Sequence, residues 1–252
     1  MILFNLPSYS NFFAGYRDTE ITLIYGFTGS GKTHLAVYYP LKYFAQPEQL
    51  GKLKAEKGVI IIISTDKSVS RKRIADFIHT DDFENHPLRQ HVILSEPDTL
   101  DSQHITITRQ IPNYIKNARV RPKLIVIDPL TKFYYEEIMT AWKTQVLSKS
   151  REAQGKLIEE MYILEQLARK YKCPVVITSW RKKKDIDTPI EYWWKGVYGG
   201  LSVYHDVSVA MRLESLNENP KIIRVTLVKN RHGESGVSFK LKILRDDIVE
   251  AT

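Results

Sequence analysis

One cysteine, Cys173, stands among 252 residues. No disulfide can form within the chain, which excludes a disulfide-stapled secreted scaffold. That scarcity points to a reducing compartment, and the expected location is cytoplasmic. No apolar run is long enough to cross a bilayer. The longest, GVIIII from Gly58 to Ile63, reads as a buried strand. The opening MILFNLPSYS has no basic leader, long apolar stretch or small-residue cleavage site, so a signal peptide is not expected. Seven histidines are scattered and none pairs with the cysteine at zinc-like spacing. There are no repeats and no low-complexity tracts. Acidic residues are the minority, 29 against 37 Lys and Arg, for a net charge of +8. Such an excess favours an anionic partner: nucleic acid, a nucleotide or an acidic surface.

What is present is an ordinary globular balance, 43% hydrophobic and 26% charged, enough for a core. Length favours one α/β domain over residues 1–252, with 1–18 as a lead-in. Apolar β-branched runs alternate with helical patterns. ITLIY (Ile21–Tyr25), VIIIIST (Val59–Thr65), HVILS (His91–Ser95), KLIVID (Lys123–Asp128) and PVVITSW read as strands. A helix is expected from about Lys32, ended or kinked at Pro40. A short helix follows Ser70 as N-cap, and another spans DSQHITITRQIPNYIKNA. Gly155–Tyr171 forms an amphipathic helix. VSVAMRLE, IIRVTLVKN and VSFKLKIL are late strands, the last two joined by the turn RHGESG. This order predicts a mainly parallel sheet with helices on both faces and an antiparallel C-terminal edge.

Between the first strand and its helix lies Gly26-Phe-Thr-Gly-Ser-Gly-Lys-Thr33, which satisfies G-x-x-x-x-G-K-[ST] in full. In such a loop the glycines turn backbone N–H groups toward phosphates. Lys32 reaches the outer phosphates and the Thr33 hydroxyl meets Mg²⁺. Gly26, Thr28, Gly29, Ser30, Gly31, Lys32, Thr33 and His34 are therefore the candidate nucleotide contacts, against the plainer reading of a glycine-rich turn. A phosphate loop needs a second acid for Mg²⁺. Asp128 closes KLIVID and fits, although a strand-end Asp also serves as a cap. Glu136 and Glu137 compete for a polarising role.

The ordered set of motifs resembles the RecA/RadA recombinase superfamily over about Tyr16 to Leu244. Thr65-Asp66, a turn, and a helix with Arg73 match its Thr-acid segment. There the acid is Glu and activates the attacking water. LIVIDPLT resembles its Walker B segment. LARKYKCPVVITSW resembles the helix and strand ending in Thr-Asn-Gln, although here the ending is Thr178-Ser179-Trp180. Gly199, Gly200, His205 and Arg212 fall on a spacing found in RadA and RadB proteins. Lys229 and Arg231 match a pair that reaches the γ-phosphate of a neighbouring subunit in RadB-like and KaiC-like ATPases. With no segment for RadA's N-terminal helical domain, the resemblance is to a core-only archaeal RadA paralogue, RadB-like.

The resemblance implies a RecA-like P-loop core that binds ATP and Mg²⁺, with Lys32, Asp66 and Asp128 catalytic and Thr33 and Asp128 on the metal. Asp66 is one methylene shorter than the family's Glu, and Trp180 replaces its phosphate-sensing Gln. Both departures lower the expected rate of ATP hydrolysis. His205 takes a sensor position, with a buried, satisfied histidine as the alternative. Lys229 and Arg231 share a strand face, as surface charges often do.

RKKKDIDTPIEYWWKGVY lies in the family's single-stranded DNA loop. Arg181, Lys182, Lys183, Lys184 and Lys195 can neutralise phosphates, while Tyr192, Trp193 and Trp194 can stack on bases at roughly 1–3 kcal/mol each. Against this, a basic run is often a solvated turn, and adjacent aromatics are often core or interface. The expectation is a slow ATPase that binds single-stranded DNA and assists recombination and repair, with a homo-oligomer or a recombinase as protein partner. The alternative is a KaiC-like or archaellum-type nucleotide switch that binds protein rather than DNA.

Overall fold

The computed structural model describes residues 1–3, 14–141, 146–182 and 190–251. A two-stranded ribbon pairs β1 (Ile2–Leu3) with β2 (Gly15–Tyr16). The central sheet begins with β3 (Ile21–Gly26), which runs straight into the phosphate loop. The helix after that loop starts at Lys32, passes a π-helical turn at His34–Tyr38 and continues as α1 (Tyr39–Ala45). Pro40 does not end it. In the π turn the Tyr39 N–H bonds back to the His34 carbonyl. The ladder is thus already shifted where proline brings no donor.

α2 (Pro47–Ala55) leads into β4 (Gly58–Ser64), and α3 (Arg71–Phe77) is capped by the Ser70 hydroxyl, which accepts from the Arg73 N–H at 3.2 Å. β5 (Val92–Ser95) is followed by α4 (Leu100–Ile105). A second π turn, Thr106–Gln110, leads into α5 (Ile111–Ala118) and admits Pro112 in the same way. Then come β6 (Arg121–Asp128), α6 (Lys132–Thr140), α7 (Val146–Tyr171) and β7 (Val175–Trp180). α7 starts nine residues before the expected Gly155. The chain closes with α8 (Leu201–Tyr204), β8 (Val207–Glu218), β9 (Lys221–Asn230), β10 (Ser238–Ile243) and β11 (Ile248–Glu250).

The nine strands are ordered β11-β10-β9-β8-β3-β7-β6-β4-β5. From β8 to β5 they are parallel, and from β8 to β11 antiparallel. Side-chain alternation divides the core. Ile60, Ile62, Leu124 and Val126 pack on one face with α1 and α3; Ile61, Ile63, Ile125 and Ile127 pack on the other with α5 and α7. Strands buried on both faces read as continuous apolar runs, which is why β4 carries Val59 and four successive isoleucines. This is the RecA-like arrangement the motif order implied. Within the nine-stranded sheet, β11 has no counterpart in the sequence reading; outside it, neither do β1, β2, α2, α6 and α8. Among the described residues no helix is long and apolar enough to cross a membrane.

Candidate functional site

The C-terminal ends of β3, β4, β6 and β7 open on one cavity of about 230 Å³. The phosphate loop forms its floor. Gly29 and Gly31 hold φ of +81° and +90°, which an L side chain adopts only with strain. A Cβ at Gly31 would also sit 2.4 Å from Ile243 Cδ1. Thr28, Gly29, Gly31, Lys32, Thr33 and His34 line the cavity. Gly26 and Ser30 do not. Gly26 ends β3, and Ser30 is buried beneath the loop with its hydroxyl unpartnered. The first N–H groups of the following helix face the same space, a ready site for an anion.

Lys32 is buried, and its ammonium donates to the carbonyls of Gly26 (3.1 Å) and Phe27 (2.8 Å). Burial lowers its pKa from 10.5 to about 8, against the upward pull of Asp128 and Asp66. Two consequences have opposite signs. A bound phosphate needs the ammonium, so nucleotide affinity is expected to fall as pH rises from 7 to 9. Stability without ligand moves the other way. Between about 8 and 10.5 the unfolded chain holds a proton that folded Lys32 has released, so stability rises with pH in that window. Calorimetric titration in buffers of different ionisation enthalpy checks this. Proton uptake on binding is expected at about pH 8.5, and pH-independent affinity with no uptake refutes it.

Asp128 is 1% exposed. Its Oδ1 accepts a hydrogen bond from the Thr178 hydroxyl, while Oδ2 has no hydrogen-bond partner and the Thr33 side chain lies against the carboxylate. Burial raises the Asp128 pKa, opposed by the Thr178 and Thr33 hydroxyls. An orphaned carboxylate oxygen beside a hydroxyl is a set of hard oxygen donors, and it fits Mg²⁺ shared with a nucleotide's phosphates. Behind it, the buried Gln103 amide donates to the Leu130 carbonyl (3.0 Å) and to buried Glu160 (2.8 Å). That pair fixes the turn after Asp128.

Asp66 forms the opposite wall, its carboxylate accepting from the Ser68 N–H at 3.0 Å. Trp180 lines the space beside it, edge-on to Tyr135 at 5.7 Å. Arg73 reaches in from α3 and donates to His34 Nε2 at 3.1 Å. Burial, then the Arg73 charge, lowers the His34 pKa to about 4, so its ring is neutral near pH 7. Glu136 and Glu137 are turned away, beside Lys132 and Lys149.

Lys221 also lines the cavity, and the sequence reading missed it. β8 runs five residues past Leu213, which pairs with Gly26, before the chain turns back. The first residue of β9 therefore hangs over the loop. The Asn-Pro turn signal at 219–220 was visible, but not which end of the sheet it occupies.

The same hairpin places Lys229 and Arg231. Lys229 pairs with Ala210, which pairs with Leu23, and Arg231 lies beyond the end of β9. They sit at the far end of the sheet from their own phosphate loop. The Lys229 ammonium donates to the Tyr204 carbonyl (2.6 Å), and Arg231 to the His205 carbonyl (2.8 Å). Burial lowers the Lys229 pKa to about 8. His205 is exposed, two residues before β8 begins, so it is neither a buried histidine nor near this chain's own cavity.

The aromatic and basic segment is divided. Trp193 is 4% exposed, stacked on Tyr25 at 6.0 Å and beside Tyr204 at 5.8 Å. Arg181 is buried, paired with Glu214 at 2.9 Å. Both are corrections: these two side chains belong to the fold and are not free for bases or phosphates. Tyr192 is 47% exposed, with Lys195 4.5 Å above its ring and Trp194 at 5.5 Å. Lys182 is half-buried near Tyr198. Lys183 and Lys184 lie outside the described residues.

No protein-family model matches the chain. It is 29% identical over 235 residues to a DNA repair and recombination protein RadB from Methanoculleus marisnigri, covering 93% of this chain and 90% of the relative. It is 25% identical over 228 residues to a protein of the same description from Methanococcus maripaludis, covering 90% of each. Its fold matches a crystal structure of the RadB recombinase with a TM-score of 0.71 at 18% identity, over the full length of both chains. These similarities support placement in the RecA/RadA superfamily, on the RadB-like side.

Proposed function

We propose that this chain is an ATP-binding recombinase paralogue acting in DNA repair, with slow ATP hydrolysis and single-stranded DNA as its polymer ligand. The observation that carries the nucleotide reading is the buried, unpartnered Oδ2 of Asp128 beside Thr33 at the mouth of a complete phosphate loop. In this reading Gly29 to Thr33 cradle the phosphates, Lys32 offsets their charge, and Asp128 and Thr33 hold Mg²⁺. The metal's contribution is to neutralise phosphate charge. Asp66 orients the attacking water, from one methylene further back than a glutamate would reach. Arg73 and Lys221 add positive charge to the same cavity. Lys229 and Arg231, remote from their own site, serve the nucleotide of an adjoining copy or partner recombinase.

DNA support rests on the exposed part of the segment after β7. Tyr192, Trp194 and Lys195 join stacking surface to charge, which suits single strands without a base code. A specific observation also favours the nucleotide-switch alternative: Trp193 and Arg181, two of the six described residues the sequence offered toward DNA, are structural. Intrinsic tryptophan fluorescence separates the two. With MgATP present, single-stranded DNA is expected to quench Trp194, the quench weakening steeply with salt and disappearing in Trp194→Phe. No DNA binding at low salt, together with nucleotide-dependent oligomerisation, would hand the function to the switch.

A further inference from the structure

The excess positive charge gathers at the end of the sheet farthest from the nucleotide. β7, β6 and β4 are consecutive parallel neighbours, so the segments entering them share one face. Each entering segment is basic and exposed: Lys170 and Lys172 before β7, Arg119 and Arg121 at β6, Lys54 and Lys57 before β4. Neighbouring strands lie about 4.8 Å apart, which puts the outer two segments roughly 10 Å apart. The acids nearby are engaged. Glu56 pairs with Lys123 at 2.5 Å and lies 3.9 Å from Arg121, and Asp18 pairs with the N-terminal ammonium at 2.8 Å. Among the described residues, no carboxylate pairs with Lys54, Lys57, Arg119, Lys170 or Lys172.

A plainer origin is helix-end compensation, because α2, α5 and α7 all point their C-termini here and basic side chains suit those ends. It covers the last-turn residues, Lys54 and Lys170 among them. It does not cover the residues past the helix ends. Lys57, Arg119 and Lys172 have φ of +50°, +52° and +51°. That left-handed position favours Gly or Asn and strains a longer side chain. Three times, on one face, the chain holds a cation where glycine relieves strain.

We propose that this face binds the phosphate backbone of duplex DNA, through residues distinct from the exposed segment after β7. Duplex binding is dominated by cation–phosphate contacts and needs no stacking platform, whereas single-strand binding relies on aromatic side chains. Tyr171, between Lys170 and Lys172, is partly buried against the core with the Lys170 ammonium 5.3 Å from its ring centroid, so it offers no open stacking platform. The proposal takes from the proposed function only that DNA is the available polyanion.

The test is a salt series of titrations with a short blunt duplex, comparing the wild-type chain with the triple variant Lys57→Asn, Arg119→Asn, Lys172→Asn. Asparagine tolerates the left-handed conformation, so the fold is retained while three charges are removed. The slope of log affinity against log salt is expected to shrink by about 2–3, at about 0.9 per phosphate contact, with at least a tenfold loss of duplex affinity near physiological salt. Single-strand quenching of Trp194 and MgATP binding stay unchanged. An unaltered duplex slope and affinity would overturn the proposal, leaving the face as helix-end compensation. Binding of polyglutamate but not duplex would overturn it in favour of an acidic protein. If the wild-type chain binds single strands but no duplex, only this proposal fails. If it binds neither, the DNA reading of the function fails with it.

Discussion

Lys32→Ala is expected to weaken MgATP binding about 100-fold while leaving the unliganded protein folded. The ammonium is the one buried Lys or Arg cation lining the cavity among the described residues, and its loss removes the main charge compensation for bound phosphates there. Truncating one member of a buried charge pair costs about 3 kcal/mol, or roughly 100-fold in affinity. The folded state tolerates the loss for a local reason. The Gly26 carbonyl also accepts from the Arg181 N–H at 3.2 Å, and that of Phe27 from the Ser30 N–H at 3.2 Å. Neither oxygen is stranded, and a desolvated cation is removed. Thermal denaturation with and without MgATP reads both halves. At a ligand concentration of about 100 wild-type Kd the wild-type chain gains about 2.7 kcal/mol, and the variant only about 0.4 kcal/mol. An undiminished ligand shift would take Lys32 out of the site.

Trp193→Ala and Tyr192→Ala, one residue apart, are expected to fail in different ways. Trp193 fills the core beneath the segment after β7, against Tyr25 and Tyr204. Truncating it removes buried aromatic surface and leaves a cavity, which costs about 3–5 kcal/mol. Tyr192 is half exposed, and its truncation changes stability by no more than about 0.5 kcal/mol. It removes a stacking surface instead, expected to weaken single-stranded DNA by about 1–3 kcal/mol. Urea melts and DNA titrations of both variants give the comparison. An unchanged urea midpoint for Trp193→Ala would contradict its place in the core. Equal losses of DNA affinity in two stably folded variants would contradict the division of the segment.

Much of this molecule is written locally. The phosphate loop is contiguous, so its glycines, Lys32 and Thr33 needed no fold to be recognised. β4 and β6 announce themselves as apolar runs buried on both faces, and Asp128 stands where its strand must end. The parallel sheet and its antiparallel edge follow from the alternation of periods. Pro40 and Pro112 misled in part, because a π turn just upstream removes the demand for the donor that proline lacks, and no residue pattern signals that turn.

The rest was decided by tertiary structure, for one physical reason: which end of the sheet a residue occupies depends on strand pairing across long separations. Lys221 and Lys229 lie on the same strand, yet the β8–β9 register puts the first over the nucleotide cavity and the second at the opposite end. Trp193 and Tyr192 are neighbours in sequence, and only packing against Tyr25 tells a core side chain from a free one. The basic face is invisible in the sequence because its charges come from three separate helix ends. Parallel pairing alone brings them together, and it does so at the end opposite the phosphate loop because helices that return antiparallel to the strands must finish there.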